Sequence, residues 1–254
     1  MADVKREPAG LLVLTGVEDE AGPLGKALQA EACPEPGEGR FRRATREGVE
    51  IVLGVAGVGP QRSERIAREG IERFQPTLLI SAGTCGALQS ELELGDWVLA
   101  GATVDLARDR SARGSFSSPA ALEPIAARLG AEARALRRGL VATVSGRPVQ
   151  EAADKEAIVA QHGAIAVDME SAGIARAAEA AGLPWLIVRV VVDTPAAPLP
   201  DLGFDPSGRP PLGGVMAYLL KHPLDGARTL HGIWRSLQDY AVELARLLPA
   251  FSLD

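Results

Sequence analysis

The sequence predicts an α/β fold built on a central sheet that is largely parallel or mixed. Three observations lead there. Short apolar runs alternate along the chain with longer Ala-rich stretches. The runs are continuously apolar rather than alternating, as in strands buried on both faces. Strand followed by helix, repeated, is the pattern of a sheet with crossover helices.

The elements follow in order. Leu11–Thr15 is the first strand, and a helix is expected over 22–31. Ile51–Ala56 is the second strand; Pro60 then stands where a helix can begin, because its missing N–H has no partner there anyway, so a helix is expected over 61–75. Leu78–Ser81 and Trp97–Thr103 are strands, then a helix over 119–136, a strand Leu140–Val144 and a helix over 151–162. Ala164–Met169 is a strand and 171–182 a helix, stopped by Gly182 and Pro184 before the strand Trp185–Val192. From residue 194 the pattern changes: 194–211 is rich in Pro and Gly and reads as an irregular connection, followed by helices over 212–221 and 224–248. The expected organisation is an α/β domain over 1–198, with a connection and helical extension over 199–254 packing on the same domain.

Composition narrows the function. The chain has 254 residues, 46% hydrophobic, with 27 Lys+Arg against 33 Asp+Glu and a formal net charge of -6. An acidic chain is poorly suited to neutralising a nucleic-acid backbone. Two cysteines, Cys33 and Cys85, without CxxC spacing argue against a disulfide scaffold or a zinc ribbon. The three His residues show no ligand spacing, so no metal is expected. No apolar run reaches the roughly 18 residues of a membrane span, and a cytoplasmic protein is expected.

In parallel sheets, ligands bind beyond the carboxyl ends of the strands. Carboxylates stand at three such exits: Glu18, Asp19 and Glu20; Asp168 and Glu170; and Asp193. Each alone reads first as a helix cap or a complement to the helix dipole. Two glycine-rich turns join them, GVAGVGP (54–60) with Gly57 and SAGTCGAL (81–88) with Gly83 and Thr84. Such turns let backbone N–H groups approach a sugar or an anion. The spacing GxxGxG is not the dinucleotide fingerprint GxGxxG, and no P-loop, GxSxG or HExxH is present.

In this order and spacing, GVEDE (16–20), GVAGVGP, AGTCGAL with LGDWV (94–98), VDMES (167–171) and GLPWLIVRVVVD (182–193) resemble the nucleoside phosphorylase / methylthioadenosine–adenosylhomocysteine nucleosidase superfamily. DTPAAPLP, SGRP (207–210), LLKHP (219–223) and the long terminal helix resemble its hopanoid-associated phosphorylase branch, described as releasing adenine from adenosylhopane. The resemblance implies a three-layer α/β/α fold with a mixed, largely parallel twisted sheet and a C-terminal helical extension. It implies an enzyme, in a homo-oligomer, that cleaves the N-glycosidic bond of a purine nucleoside, adenine being the expected base. It also implies the roles. Asp193 would assist departure of the base at N7, and Glu20 would activate water. Glu170 would hold the ribose hydroxyls, with Met169 packed on the sugar. Thr84, Gly83 and Gly57 would lie around sugar and nucleophile. Val149 stands near the base-facing aromatic of nucleosidases, and Asp168 replaces a Glu common among them.

Water and phosphate remain as alternative nucleophiles. Phosphorylases of the superfamily carry an Arg where this chain has Ser81, and Glu18–Glu20 would repel a phosphate dianion. Hydrolysis is therefore expected first, without a cofactor; in a phosphorylase, inorganic phosphate would be co-substrate, with Arg62 a possible substitute cation. The other readings are a non-catalytic nucleoside-binding module and a dinucleotide oxidoreductase. For the terminal helices, packing on the sheet is favoured over peripheral contact with lipid.

Overall fold

A computed structural model describes residues 10–34, 37–114, 116–117, 119–130, 136–198, 212–222 and 225–252. Its elements run β1 (Leu11–Thr15), α1 (Glu18–Leu28), β2 (Glu31–Ala32), β3 (Arg40–Arg46), β4 (Val49–Val55), α2 (Pro60–Phe74), β5 (Leu78–Ala87), β6 (Trp97–Ala100), β7 (Ala102–Asp105) and β8 (Arg110–Arg113). They continue with α3 (Pro119–Gly130), β9 (Leu136–Arg138), β10 (Leu140–Thr143), α4 (Ala152–His162), β11 (Ala164–Asp168), α5 (Ser171–Ala180), β12 (Trp185–Asp193), α6 (Leu212–Lys221) and α7 (Gly226–Leu247).

One mixed sheet passes through the molecule in the order β2-β3-β4-β1-β5-β11-β10-β7-β8, with β12 and β6 branching from β5 and β9 from β6. β5 is the seam. It pairs in parallel with β1 and β12 and, at Gly86 and Ala87, antiparallel with β11. Alternate residues of β1 enter different cores: Leu11 and Val13 face α1 and α7, while Leu12 and Leu14 face α2 and α5. A strand with helices on both faces must be apolar at every position, hence the unbroken apolar runs.

Several expectations shift. The first helix begins at Glu18 rather than 22, because Glu20 folds back and accepts hydrogen bonds from the Gly16 and Val17 amides, capping it. The stretch expected as one strand over 97–103 divides at Gly101, where a β-carbon would lie 2.1 Å from the Phe116 carbonyl oxygen. The third strand does not stop at Ser81; β12 holds it in register through Gly86. β3 was not foreseen, since RFRRATR lacks an apolar run; it pairs antiparallel with β4 while its arginines bond Glu18 and Glu50.

The carboxyl half of α7 is buried: Tyr240, Ala241, Leu244, Ala245 and Leu247 join Leu11, Val13 and Val188 in one core. The connection over 199–211, with the SGRP turn, lies outside the described residues. No helix among the described residues is long and apolar enough to cross a membrane.

Candidate active site

Three buried carboxylates meet around the upper end of β5. Glu20 is delivered by the first turn of α1. Its Oε2 accepts from the Gly16 amide at 2.8 Å, and its Oε1 accepts from the Thr84 amide and hydroxyl, each at 2.8 Å. Glu170 sits at the start of α5, where its carbonyl accepts from Ser63 Oγ at 3.0 Å. Gly16 lies between the two: its amide serves Glu20, and a β-carbon on it would stand 2.9 Å from the Glu170 Cδ. Only a residue without a side chain lets both carboxylates close on the same strand exit.

Asp193 ends β12. The register shifts between Val191 and Asp193, opposite Cys85 and Gly86, and such a bulge re-aims a side chain. The carboxyl comes to rest against Gly86, where a β-carbon would be 2.8 Å from Oδ1. Its Oδ2 lies 2.5 Å from the Lys155 ammonium, which descends from α4.

Arg189 forms the floor. It is fully buried on β12, and donates to the Ala82 carbonyl at 3.0 Å and to the Ser81 and Ser171 hydroxyls at 2.9 Å. It pairs with Asp168 at 2.7 Å and stands 3.8 Å from Glu170. Asp168 also accepts from Thr143 Oγ1 at 2.7 Å and from the Ser171 hydroxyl. Its carboxylate is thus spent on the floor and holds Arg189 in place. Gly83 has φ +135 and lies against this group, since a β-carbon there would fall 2.7 Å from both Arg189 and Glu20.

The electrostatics follow from burial. Glu170 is pushed up to about 8, first by desolvation and then by Asp168 and Glu20, against the pull of Arg189. Burial also raises Asp193, opposed by the hydrogen bond and charge of Lys155. Burial pushes the Cys85 thiol up, which keeps it a neutral packing residue. The arrangement can stabilise positive charge beside Glu20 and Glu170 and can offer a proton at the Asp193 end.

The sequence model of the Phosphorylase superfamily matches residues 11–203. The chain belongs to that superfamily. The aminodeoxyfutalosine nucleosidase of Campylobacter jejuni is 26% identical over 195 residues, covering 72% of this chain and 85% of the relative. Among solved structures, the Helicobacter pylori 5'-methylthioadenosine/S-adenosylhomocysteine nucleosidase with butyl-thio-DADMe-Immucillin-A has a TM-score of 0.71 at 20% identity, covering 96% of this chain and 99% of that one. A futalosine hydrolase mutant of Helicobacter pylori strain 26695 has a TM-score of 0.70 at 18% identity, covering 95% and 99%. These two show the shared fold: a mixed twisted sheet with helices on both sides.

With the superfamily, the dinucleotide-oxidoreductase reading falls away and the chain is an enzyme. Met169 is half-buried between Asp168 and Glu170 in sequence. Gly57 has φ +78 and lies against Arg62, whose Nε would be 2.3 Å from a β-carbon there. Val149 packs on a small core cluster that includes Ile158 of α4. The structure thus brings Glu20, Glu170, Thr84, Gly83 and Asp193 around β5, with Asp168 beneath them.

Sequence reasoning missed Gly16, Lys155 and Tyr240. Tyr240 on α7 accepts from the Gly83 amide at 3.1 Å and donates to the Val188 carbonyl at 2.7 Å, tying the terminal helix to the site. A signal existed for Lys155: it shares the inward face of α4 with Ile158 three residues on.

Proposed function

We propose that this enzyme hydrolyses the N-glycosidic bond of a purine nucleoside, with adenine as the base. The observation that supports it most is the pair Glu20 and Glu170 flanking Gly16, with Asp193 on the strand next to β5. An oxocarbenium-like sugar seated there would face two carboxylates, which stabilise its charge. Glu170 would accept the ribose hydroxyls and Glu20 would take a proton from water. The Thr84 hydroxyl turns about a single bond, so its bond to Glu20 is exchangeable for one to that water. Asp193 would assist the base at N7. This reading needs neither metal nor cofactor.

The relatives named above are nucleosidases or a hydrolase by name, which supports water as nucleophile. So does Ser81, where superfamily phosphorylases carry an arginine: it is buried and bonded to Arg189. One observation favours phosphorolysis as a second reading, the seat of Arg62 on the Gly57 turn. The finer substrate reading is a nucleoside with a bulky apolar 5′ substituent, adenosylhopane-like. Exposed Met216, Leu220 and Trp234 on α6 and α7 are consistent with peripheral contact to such a lipid. A cytoplasmic homo-oligomer completes the reading.

The test is an assay for free base over adenosine, methylthioadenosine, adenosylhomocysteine, inosine and an adenosyl-lipid, with and without phosphate. Adenine release independent of phosphate, with a reducing sugar as co-product, is expected. Strict phosphate dependence with a sugar 1-phosphate product would reverse the choice of nucleophile.

A further inference from the structure

One buried contact beside the carboxylates, Lys155 to Asp193, has no part in the steps above. The Lys155 side chain is 1% exposed, and its ammonium meets an Asp193 carboxyl that is 8% exposed, at 2.5 Å. A buried ammonium is tolerated only beside a counter-charge, and among the described residues Asp193 is the one it pairs with. The consequence runs against a simple acid at this position. The ammonium favours the charged carboxylate against the burial that raises Asp193, so a proton passed to a leaving base has to be made good from within the pair.

We propose that Lys155 is a positioning residue that supplies the proton which Asp193 passes to the departing purine, so that the acid is the Lys155–Asp193 couple. The proposal rests on the nucleosidase reading and deepens it. The C1′–N9 bond breaks and its electron pair passes into the purine. Purine N7 takes a proton from Asp193, and Asp193 takes one from the Lys155 ammonium, leaving a neutral amine. The water oxygen bonds to C1′ while Glu20 takes its proton. Once products leave, Glu20 returns a proton to solvent and Lys155 regains one. The sum is nucleoside plus water giving purine plus sugar.

The surroundings allow this. From β5 the titratable group facing Asp193 is the Cys85 thiol, which burial keeps neutral. On β12 itself Arg189 is engaged by Asp168. Lys155 from α4 is therefore the cation placed to exchange a proton with Asp193.

Two variants test it, each assayed for base release across pH with kcat and KM separated. In Lys155→Met, the proton must come from Asp193 alone. Above neutral pH kcat should fall roughly 100-fold, a typical share for one acid–base group, with KM within a few-fold. Activity should recover towards acid pH, where the unpaired carboxyl holds its own proton. Lys155→Arg keeps the charge and the pairing, but a guanidinium does not give up its proton. It should keep the wild-type Tm and still lose kcat, which decides the matter if the Met variant fails to fold. An unchanged kcat and pH profile in Lys155→Met, or full kcat in Lys155→Arg, would overturn the relay while leaving the nucleosidase reading intact. A wild-type protein that releases no base from any nucleoside would remove that reading and the relay together.

Discussion

Asp193, Glu20 and Glu170 are all buried carboxylates, yet their neighbours give them different work. Glu20 is held by three backbone amides and the Thr84 hydroxyl, Glu170 faces Arg189 at a distance, and Asp193 has a lysine in direct contact. Replacing Asp193 by Asn should cost roughly 10²- to 10⁴-fold in kcat while binding survives, since the amide keeps the shape but cannot relay a proton. Base release and ligand titration on the same variant check this. Glu170 yields a pH prediction. Its carboxyl is raised to about 8, so the free enzyme should lose kcat/KM as pH falls through that value and the charge facing the sugar disappears. In Glu170→Gln that limb should vanish from a profile that is low throughout. Gly83→Ala places a methyl at φ +135 against Arg189 and Glu20, and should leave little folded, active protein.

At the scale of elements, two devices hold the site. The bulge at the end of β12 turns Asp193 towards Lys155, and α7 reaches across to pin the Gly83 amide through Tyr240. Tyr240→Phe keeps the ring packed on Trp97 but leaves the Val188 carbonyl short of a donor and the Gly83 amide without an acceptor. The expected cost is about 1–3 kcal/mol, read as a lower Tm. Activity should fall as well, because Gly83 adjoins Glu20. Legibility in the sequence divides along the same line. The strand exits carrying Glu20 and Asp193 could be placed from apolar runs and the turns after them, because β1 and β12 both run parallel to β5 and share one carboxyl edge, whereas Glu170 follows β11, which pairs antiparallel with β5. β3 could not, since a strand rich in arginine has no apolar run to detect. The passage of β5 through its glycines could not either, because its partner β12 lies about a hundred residues further on and supplies the pairing.

For the whole molecule, the raised Glu170 also sets a trend in stability. The folded state keeps that proton up to about pH 8, whereas the unfolded chain releases it near 4.5. Folding therefore binds protons across that window, so this group's contribution is complete at the acid end and is lost as pH rises through it. Melting temperatures of Glu170→Gln should be flatter over that window than those of the wild type. From the sequence alone came the α/β class, the superfamily resemblance and the edge of the sheet where the carboxylates gather. These depend on local patterns: unbroken apolar runs, turn residues and the acids that follow them. The tertiary structure decided which carboxylate keeps which partner. Lys155 meets Asp193 across 38 residues and Tyr240 meets Gly83 across 157, and contacts so distant leave no period in the chain. They are set by how α4 and α7 pack against the sheet, and that packing is a property of the folded whole.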